Sequence, residues 1–336
     1  MTERTLAVEL MSLINGYQIS QAIHVAAVLG LADHLREAPR SSDELAALTD
    51  THPQSLYRLL RALAAVGVFH EDAERRFSLT EMGQGLRSDT ANSIAGWASL
   101  VGRPYYWQTW GHFLHSVRTG ENAFRDLHGS DVWAYRSDHP EESAIFDRAM
   151  TALSRGTGAA VIAAYDFGPF DCIVDVGGGQ GLLLADLLAA RSRARGILFD
   201  LPHVVSRAET LLRGKGVAER CQIVGGSFFE DVPAGGDLYM LKAILHDWKD
   251  EEAIRILRVC RRAAKPEGRL LVIERVLGPP NEAPDGKFSD LNMLVAPGGQ
   301  ERTREEFATL LAAAGFTLTR VIPTGTRHSL IEAAPA

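Results

Sequence analysis

The chain has little that would anchor it in a membrane, staple it with disulfides or draw it to nucleic acid. Its 336 residues include three cysteines, Cys172, Cys221 and Cys260. They are isolated, and each sits in an apolar strand or helix pattern, so each reads as a small core residue. Long hydrophobic runs are also missing. The longest, Leu182 to Ala190, is too short to span a bilayer and contains Asp186. Met1-Thr2-Glu3-Arg4 runs into an amphipathic helix pattern rather than a signal peptide, which predicts a cytoplasmic protein. Positive charge is short. Lys plus Arg number 35 against 42 acids, a net charge of -7, so neither a nucleic acid nor a membrane is an expected partner. What remains is an ordinary globular composition, 46% hydrophobic and 23% charged, without internal repeats and long enough for two domains.

Three stretches differ in pattern. Residues 1–95 read as helices with one hairpin. Leu6 to Leu35 shows apolar spacing at three and four, and Ser41 with Glu44 forms a capping box. Pro53 opens a helix that carries Leu56, Leu59, Leu60, Leu63 and Val66 on one face and stops at Gly67. Val68-Phe69-His70 and Arg76-Phe77-Ser78-Leu79 flank a charged turn. Helix, helix, hairpin is the order of a winged helix. Residues 96–165 look helical and aromatic-rich, with Trp97, Trp107, Trp110 and Trp133 beside Tyr105, Tyr106 and Phe113. Residues 166–336 alternate apolar strands, near 171–176, 196–200, 221–225, 237–242 and 269–275, with amphipathic helices. That alternation predicts an α/β fold, a doubly wound and mostly parallel sheet. A helix over 303–314 and strands near 316–322 and 327–332 complete it.

The first of those strands leads into Asp175-Val176-Gly177-Gly178-Gly179-Gln180-Gly181, a strand, a glycine turn and a helix start. Small residues at Gly177, Gly179 and Gly181 let a ligand lie against bare backbone. The dinucleotide fingerprint spaces its glycines differently, and Leu182 stands where its third would fall, so nicotinamide chemistry is disfavoured. The spacing suits S-adenosylmethionine better. Asp200 ends the next strand, where a doubly wound sheet offers an acceptor to a ribose. His246 follows the strand ending near residue 242, just before a helix for which Asp247 is a plausible N-cap. Glu274 ends a further strand at the same sheet edge, and Glu301 precedes the helix opened by Thr303. An imidazole that takes a proton on one ring nitrogen needs the other held by an acceptor.

These segments, with Leu245-His246-Asp247-Trp248 and Gly298-Gly299-Gln300-Glu301-Arg302-Thr303, carry a resemblance. The chain resembles, over nearly its whole length, the S-adenosylmethionine-dependent O-methyltransferases of small molecules, a family with plant caffeate-type members and bacterial antibiotic and polyketide tailoring enzymes. The resemblance implies a phenolic acceptor, His246 as catalytic base and Glu274 and Glu301 as flanking acids. It implies that Gly177 lies against the cofactor and that Asp200, beside Leu201, takes the ribose hydroxyls. Gly226, Ser227 and Phe228 would border the adenine, with Lys242 and Trp248 nearby and Ser154 at the methionine end. Ser227 stands where the family usually has an acid. Phe146, Met150, Asn292 and Met293 would line the acceptor pocket. Residues 1–95 would form a homodimer through interlocking helices.

A metal-assisted route would need a cluster of acid and amide ligands at the sheet edge. Asp290 and Asn292 supply two without an obvious third, so metal independence is expected. Two other readings stay open. One keeps the fold but changes the chemistry to hydroxylation or decarboxylation. The other makes the winged helix, with Arg58 and Arg61, a DNA-binding regulator.

Overall fold

The computed structural model describes residues 3–90, 92–154 and 156–336. Met1 and Thr2, the start of the leading amphipathic stretch, lie outside the described residues. The chain forms two compact units. One comprises residues 1–108 and 139–155, the other 109–138 and 156–336, so both draw on the helical stretch 96–165.

In the first unit the leading amphipathic stretch breaks into helices Glu3–Ile14, Gly16–Val28 and Leu31–His34. The last break falls at Gly30, whose φ of +62° is a left-handed conformation that glycine adopts without a Cβ clash. The Ser41–Glu44 capping box is present and starts helix Ser42–Thr49. Helix Pro53–Ala65 follows, with Pro at its first position and His52 accepting from the Ser55 N–H. It buries Leu56, Leu60 and Leu63, while Val66, expected on the same face, is exposed because the helix has already ended. The hairpin pairs β2 (Phe69–Glu71) with β3 (Arg76–Leu79), and a two-residue strand, β1 (Arg40–Ser41), joins its other side. The first two helices leave Leu6, Val8, Leu10, Met11, Leu13, Ile14 and Tyr17 exposed.

The second unit is built on a seven-stranded sheet. Its strands are β4 (Cys172–Val176), β5 (Arg195–Asp200), β6 (Cys221–Gly225), β7 (Leu238–Lys242), β8 (Arg269–Glu274), β9 (Phe316–Pro323) and β10 (Ser329–Pro335). They lie in the order β6-β5-β4-β7-β8-β10-β9, and β10 runs antiparallel to both of its neighbours. The central strands are apolar throughout because both faces are covered. Val174, Val176, Tyr239, Leu241, Leu270 and Val272 pack on one face, and Ile173, Leu238, Met240, Leu271 and Ile273 on the other. That is the two-residue alternation of a pleated strand. Helix Asp250–Ala263 covers the first face with Ala253, Ile256, Leu257 and Cys260, spaced three and four apart. Helix Leu182–Ala190 covers the second. The strand order reverses at β4, which has β5 on one side and β7 on the other. In such sheets ligands bind beyond the carboxyl ends of the strands at this reversal. Those ends carry Gly177, Asp200, Lys242 and Glu274. No helix among the described residues is long and apolar enough to cross a membrane.

Candidate active site

The turn after β4 is shaped by glycines in conformations that other residues rarely take. Gly177, Gly179 and Gly181 have φ of +70°, +60° and +82°. Each meets different surroundings. A Cβ on Gly177 would lie 2.3 Å from Ile244 Cδ1, and one on Gly178 would lie 2.6 Å from a carboxylate oxygen of Asp175. A Cβ on Gly179 would meet nothing within 4 Å. The outer face of the turn at Gly179 is therefore open to a ligand, while its inner face is packed to contact. Asp200 braces the bend by accepting from the Gly179 N–H at 2.8 Å. Beneath it lies Asp175, 1% exposed. Burial, and then the nearby Asp200 charge, raise its carboxyl to about 7, against the opposing pull of Lys242. Burial in turn pushes the Lys242 ammonium down, although Asp175 opposes this.

Beyond β5 and β6, Gly226 donates its N–H to the Asp200 carbonyl. It is glycine because a Cβ there would lie 2.7 Å from the Phe199 ring. Ser227 uses its hydroxyl to accept from the Phe229 N–H, which shapes the turn that presents Phe228. Phe228 meets Trp248 edge to face at 6.1 Å, and Trp133 stacks on Trp248 at 6.4 Å. Of the residues expected around an adenine, Phe228 and Trp248 thus form an aromatic group, extended by Trp133.

The loop after β7 is tied down at many points. It opens at Ala243, whose φ of +54° costs about 1–2 kcal/mol for a residue with a Cβ. His246 then sits in a short 3-10 turn, Leu245–Asp247. Helix Asp250–Ala263 starts only after Lys249, its N-cap, so Asp247 is not the cap that the sequence suggested. Glu274 makes no hydrogen bond to the ring, although its charge acts on it. Its Oε1 accepts from the backbone N–H groups of Ile244, Leu245 and His246 at 3.1, 2.6 and 3.2 Å. These charge-assisted contacts from three converging amides hold the loop backbone to the end of the strand.

The acid on the ring is Glu301, whose Oε1 lies 3.1 Å from His246 Nδ1. Glu301 itself accepts from Ser289 Oγ at 2.7 Å, and its N–H donates to Asp290 Oδ1. In the neutral ring, an Nδ1 proton donated to Glu301 leaves Nε2 as the acceptor, with Asp247 Oδ1 at 3.7 Å. Burial opposes charge on this imidazole. The Asp247 charge, the Glu301 hydrogen bond and the Glu274 charge outweigh it and raise His246 to about 9. Burial works to raise Glu301 as well, but the His246 contact holds it below the usual carboxylate range. Asp247 is pushed up to about 6 by burial.

Sequence reasoning assigned no part to Arg302. It is 1% exposed and spans the loop. Its guanidinium donates to the carbonyls of Leu245 at 3.0 Å and Trp248 at 2.9 Å, and to Asp250 Oδ1 at 2.8 Å. Next to it, a Cβ on Gly299 would lie 2.1 Å from the His246 carbonyl oxygen, and that oxygen accepts from the Gln300 N–H. The segment 299–302 therefore presses against the His246 backbone while Glu301 reaches the ring. The only sign of this in the sequence is a glycine and an arginine around Glu301.

Of the residues expected at the acceptor, Asn292 accepts from Trp110 Nε1 at 3.2 Å, and Met293 is buried in helix Pro284–Val295. Phe146, Met150 and Ser154 lie in helix Pro140–Ser154 of the first unit, where the Ser154 hydroxyl donates to the Met150 carbonyl.

The glycine turn open at the strand reversal, the acid ending the next strand and the braced histidine suit an enzyme that holds a nucleoside-containing cofactor beside a base. Comparison with known proteins sharpens this. An O-methyltransferase domain matches residues 110–317, and an O-methyltransferase dimerisation domain matches residues 11–89. Phenazine O-methyltransferase PhzM of Lysobacter antibioticus is 45% identical over 326 residues, 97% of this chain and 95% of its own. The crystal structure of LaPhzM superposes with a TM-score of 0.95 at 44% identity, over 98% of this chain and 99% of that one. The O-methyltransferase NcsB1 from neocarzinostatin biosynthesis was solved with S-adenosylmethionine and 2-hydroxy-5-methyl naphthoic acid. It matches with a TM-score of 0.80 at 37% identity, over 95% of this chain and 96% of its own. The chain belongs to the O-methyltransferase family and uses S-adenosylmethionine.

Proposed function

We propose that the protein methylates a phenolic hydroxyl of a small aromatic acceptor, with His246 as general base and no metal in the chemistry. The observation that carries the reading is the 3.1 Å contact between His246 Nδ1 and Glu301, on a loop beside the glycine turn. When bound, S-adenosylmethionine supplies an electrophilic methyl group on a positively charged sulfur.

The residues fit that cofactor. The open face at Gly179, flanked by Gly177 and Gly181, leaves room against the backbone. Asp200 has its carboxylate at the strand end beside Leu201, suited to accept from ribose hydroxyls. Phe228 and Trp248, with Gly226 and Ser227, offer the apolar wall an adenine needs, and Lys242 stands near Asp175 below. For Phe146, Met150 and Ser154 the proposed roles rest on the resemblance. Asn292 and Met293 are assigned to the acceptor side.

The work left to the protein is positioning the acceptor and removing its proton. Well-aligned groups gain effective molarities of roughly 10⁵ M or more. Proton transfer from a phenol of pKa about 10 to an ordinary histidine of about 6.5 is uphill by roughly 5 kcal/mol. Raising the His246 pKa narrows that gap. The Asp247 charge, the Glu301 hydrogen bond and the Glu274 charge produce the rise, and Glu301 also favours the tautomer that leaves Nε2 to take the proton. The unit that matches a dimerisation domain, with its exposed apolar helices, supports a homodimer. The test is incubation with labelled S-adenosylmethionine and a panel of phenolic aromatic acids. Label is expected on a phenolic oxygen. Label on nitrogen or carbon only, or no transfer to any phenol while another class is methylated, would overturn the proposal.

A further inference from the structure

The segment between Trp110 and Trp133 holds a group of side chains that methyl transfer does not use. Helices Phe113–Thr119 and Ala123–His128 form a tight hairpin. It turns at Gly120, φ +73°, and is closed by the Ala123 N–H donating to Ser116 Oγ at 3.0 Å. This places Asp126 of the second helix against His112 and His115 at the start of the first. Asp126 Oδ2 lies 2.7 Å from His112 Nε2 and 3.7 Å from His115 Nδ1. The two rings stack at 5.1 Å, 12° from parallel. One atom from each of the three residues lies within 4.8 Å of the other two.

We propose that His112, His115 and Asp126 form a binding site for a divalent transition-metal ion of borderline softness, Zn²⁺ foremost. Two imidazoles and a carboxylate are the donor set such ions favour, and harder ions such as Mg²⁺ prefer all-oxygen sites. The two carboxylate-to-imidazole spacings fit with little movement, while the imidazole nitrogens, within 4.8 Å of one another, would reach the same edge by rotation of the stacked rings. Tetrahedral ligands about 2.0–2.1 Å from zinc stand about 3.3–3.4 Å apart. The His115–Asp126 pair is already near that edge, and the His112–Asp126 hydrogen bond would open by roughly 0.6 Å as an ion replaced its proton.

The far side of His115 supports the same reading. With Nδ1 turned toward Asp126, Nε2 is buried and has no hydrogen-bond partner. Glu121 Oε2 stands 3.6 Å from it. A carboxylate behind the non-ligating nitrogen is the usual outer support of a metal-bound histidine. The fourth position is left to water. The ion would clip together a hairpin that also braces the active-site loop. Asn122 at its turn donates to the Ala296 carbonyl at 2.8 Å, and Asn122 Nδ2 abuts Gly298, three residues before Glu301.

The test is a titration of the chelator-stripped full-length enzyme with Zn²⁺, in competition with a chromogenic chelator, with the melting temperature followed in parallel. One tight equivalent is expected, with a rise in melting temperature. His112→Ala/His115→Ala should abolish the tight equivalent and the rise, and Glu121→Gln should weaken binding by roughly 10-fold or more. If the double variant fails to fold, Asp126→Asn decides and should also lose the equivalent. Absence of a tight equivalent in the wild type, or unchanged Zn²⁺ affinity in the double variant or in Asp126→Asn, would overturn the site.

Discussion

The turn after β4 and the loop after β7 leave adjacent strands at one sheet edge, yet they are held in opposite ways. The glycine turn is held mainly by backbone, its own and the Phe199 carbonyl of β5, which accepts from Gly177 and Gly178. Its left-handed residues set the bend, and a single side chain, Asp200, accepts from it at Gly179. The His246 loop is held from outside. Glu274 gathers three of its amides, Arg302 and Gln300 take three of its carbonyls, and Glu301 takes the ring. In the proposed roles, a surface that receives a diffusing cofactor has to stay bare, whereas a base has to keep one orientation. Bareness is achieved by leaving side chains out, and orientation by bringing side chains in from distant segments.

If this contrast is right, the two loops should fail differently. The largest effect is expected at the ring. His246→Ala should lower kcat by roughly 10²–10⁴ while leaving S-adenosylmethionine affinity nearly unchanged, as read by steady-state kinetics and calorimetry. Near-normal turnover would remove His246 as base. Next comes the brace. Arg302→Lys keeps the charge but cannot span Leu245, Trp248 and Asp250 together. It should cost kcat roughly 10-fold to 10²-fold through misplacement of the imidazole, again with little change in cofactor affinity. An unchanged kcat would mean that the loop keeps its shape without the guanidinium.

The glycine turn should show the reverse pattern. Gly179→Ala puts a methyl on the open face and a Cβ at φ +60°. Cofactor affinity should fall about 10-fold and the melting temperature by ~2–4 °C, with kcat at saturation largely kept. A loss in kcat with affinity intact would erase the distinction between the loops. The smallest effect is expected from chelation. Excess chelator should leave methyl transfer unchanged, and a loss restored by Mg²⁺ would defeat the metal-free proposal.

The same contrast explains what could be read in advance. Glycines at 177, 179 and 181 announce the turn because the conformation is written into the residue type, and Asp200 lies on the next strand at a predictable distance. Central strands such as Leu238–Lys242 stand out as unbroken apolar runs because both faces are buried. The His246 loop could not be read locally. Its restraints come from residues 28 to 57 positions later, and nothing in the sequence tells Glu274, which binds backbone, from Glu301, which binds the ring. Asp247 resembles a helix cap, but a 3-10 turn comes before the helix and moves the cap to Lys249. Strand β1 is two residues long and owes its existence to pairing with β3, so no periodicity could announce it.

The most direct test of the account is the pH dependence of kcat/KM for wild type and Glu301→Gln, with an acceptor whose hydroxyl does not ionise in the range scanned. The neutral imidazole is the active form, so the rate should rise with pH and level off as His246 loses its proton near 9. Removing the carboxylate takes away a group that raises that pKa, so the variant's limb should move to lower pH, toward the ordinary value near 6.5, with a lower plateau. A limb at the same pH in both enzymes, or a rate that falls between pH 6 and 9, would contradict a base tuned by Glu301.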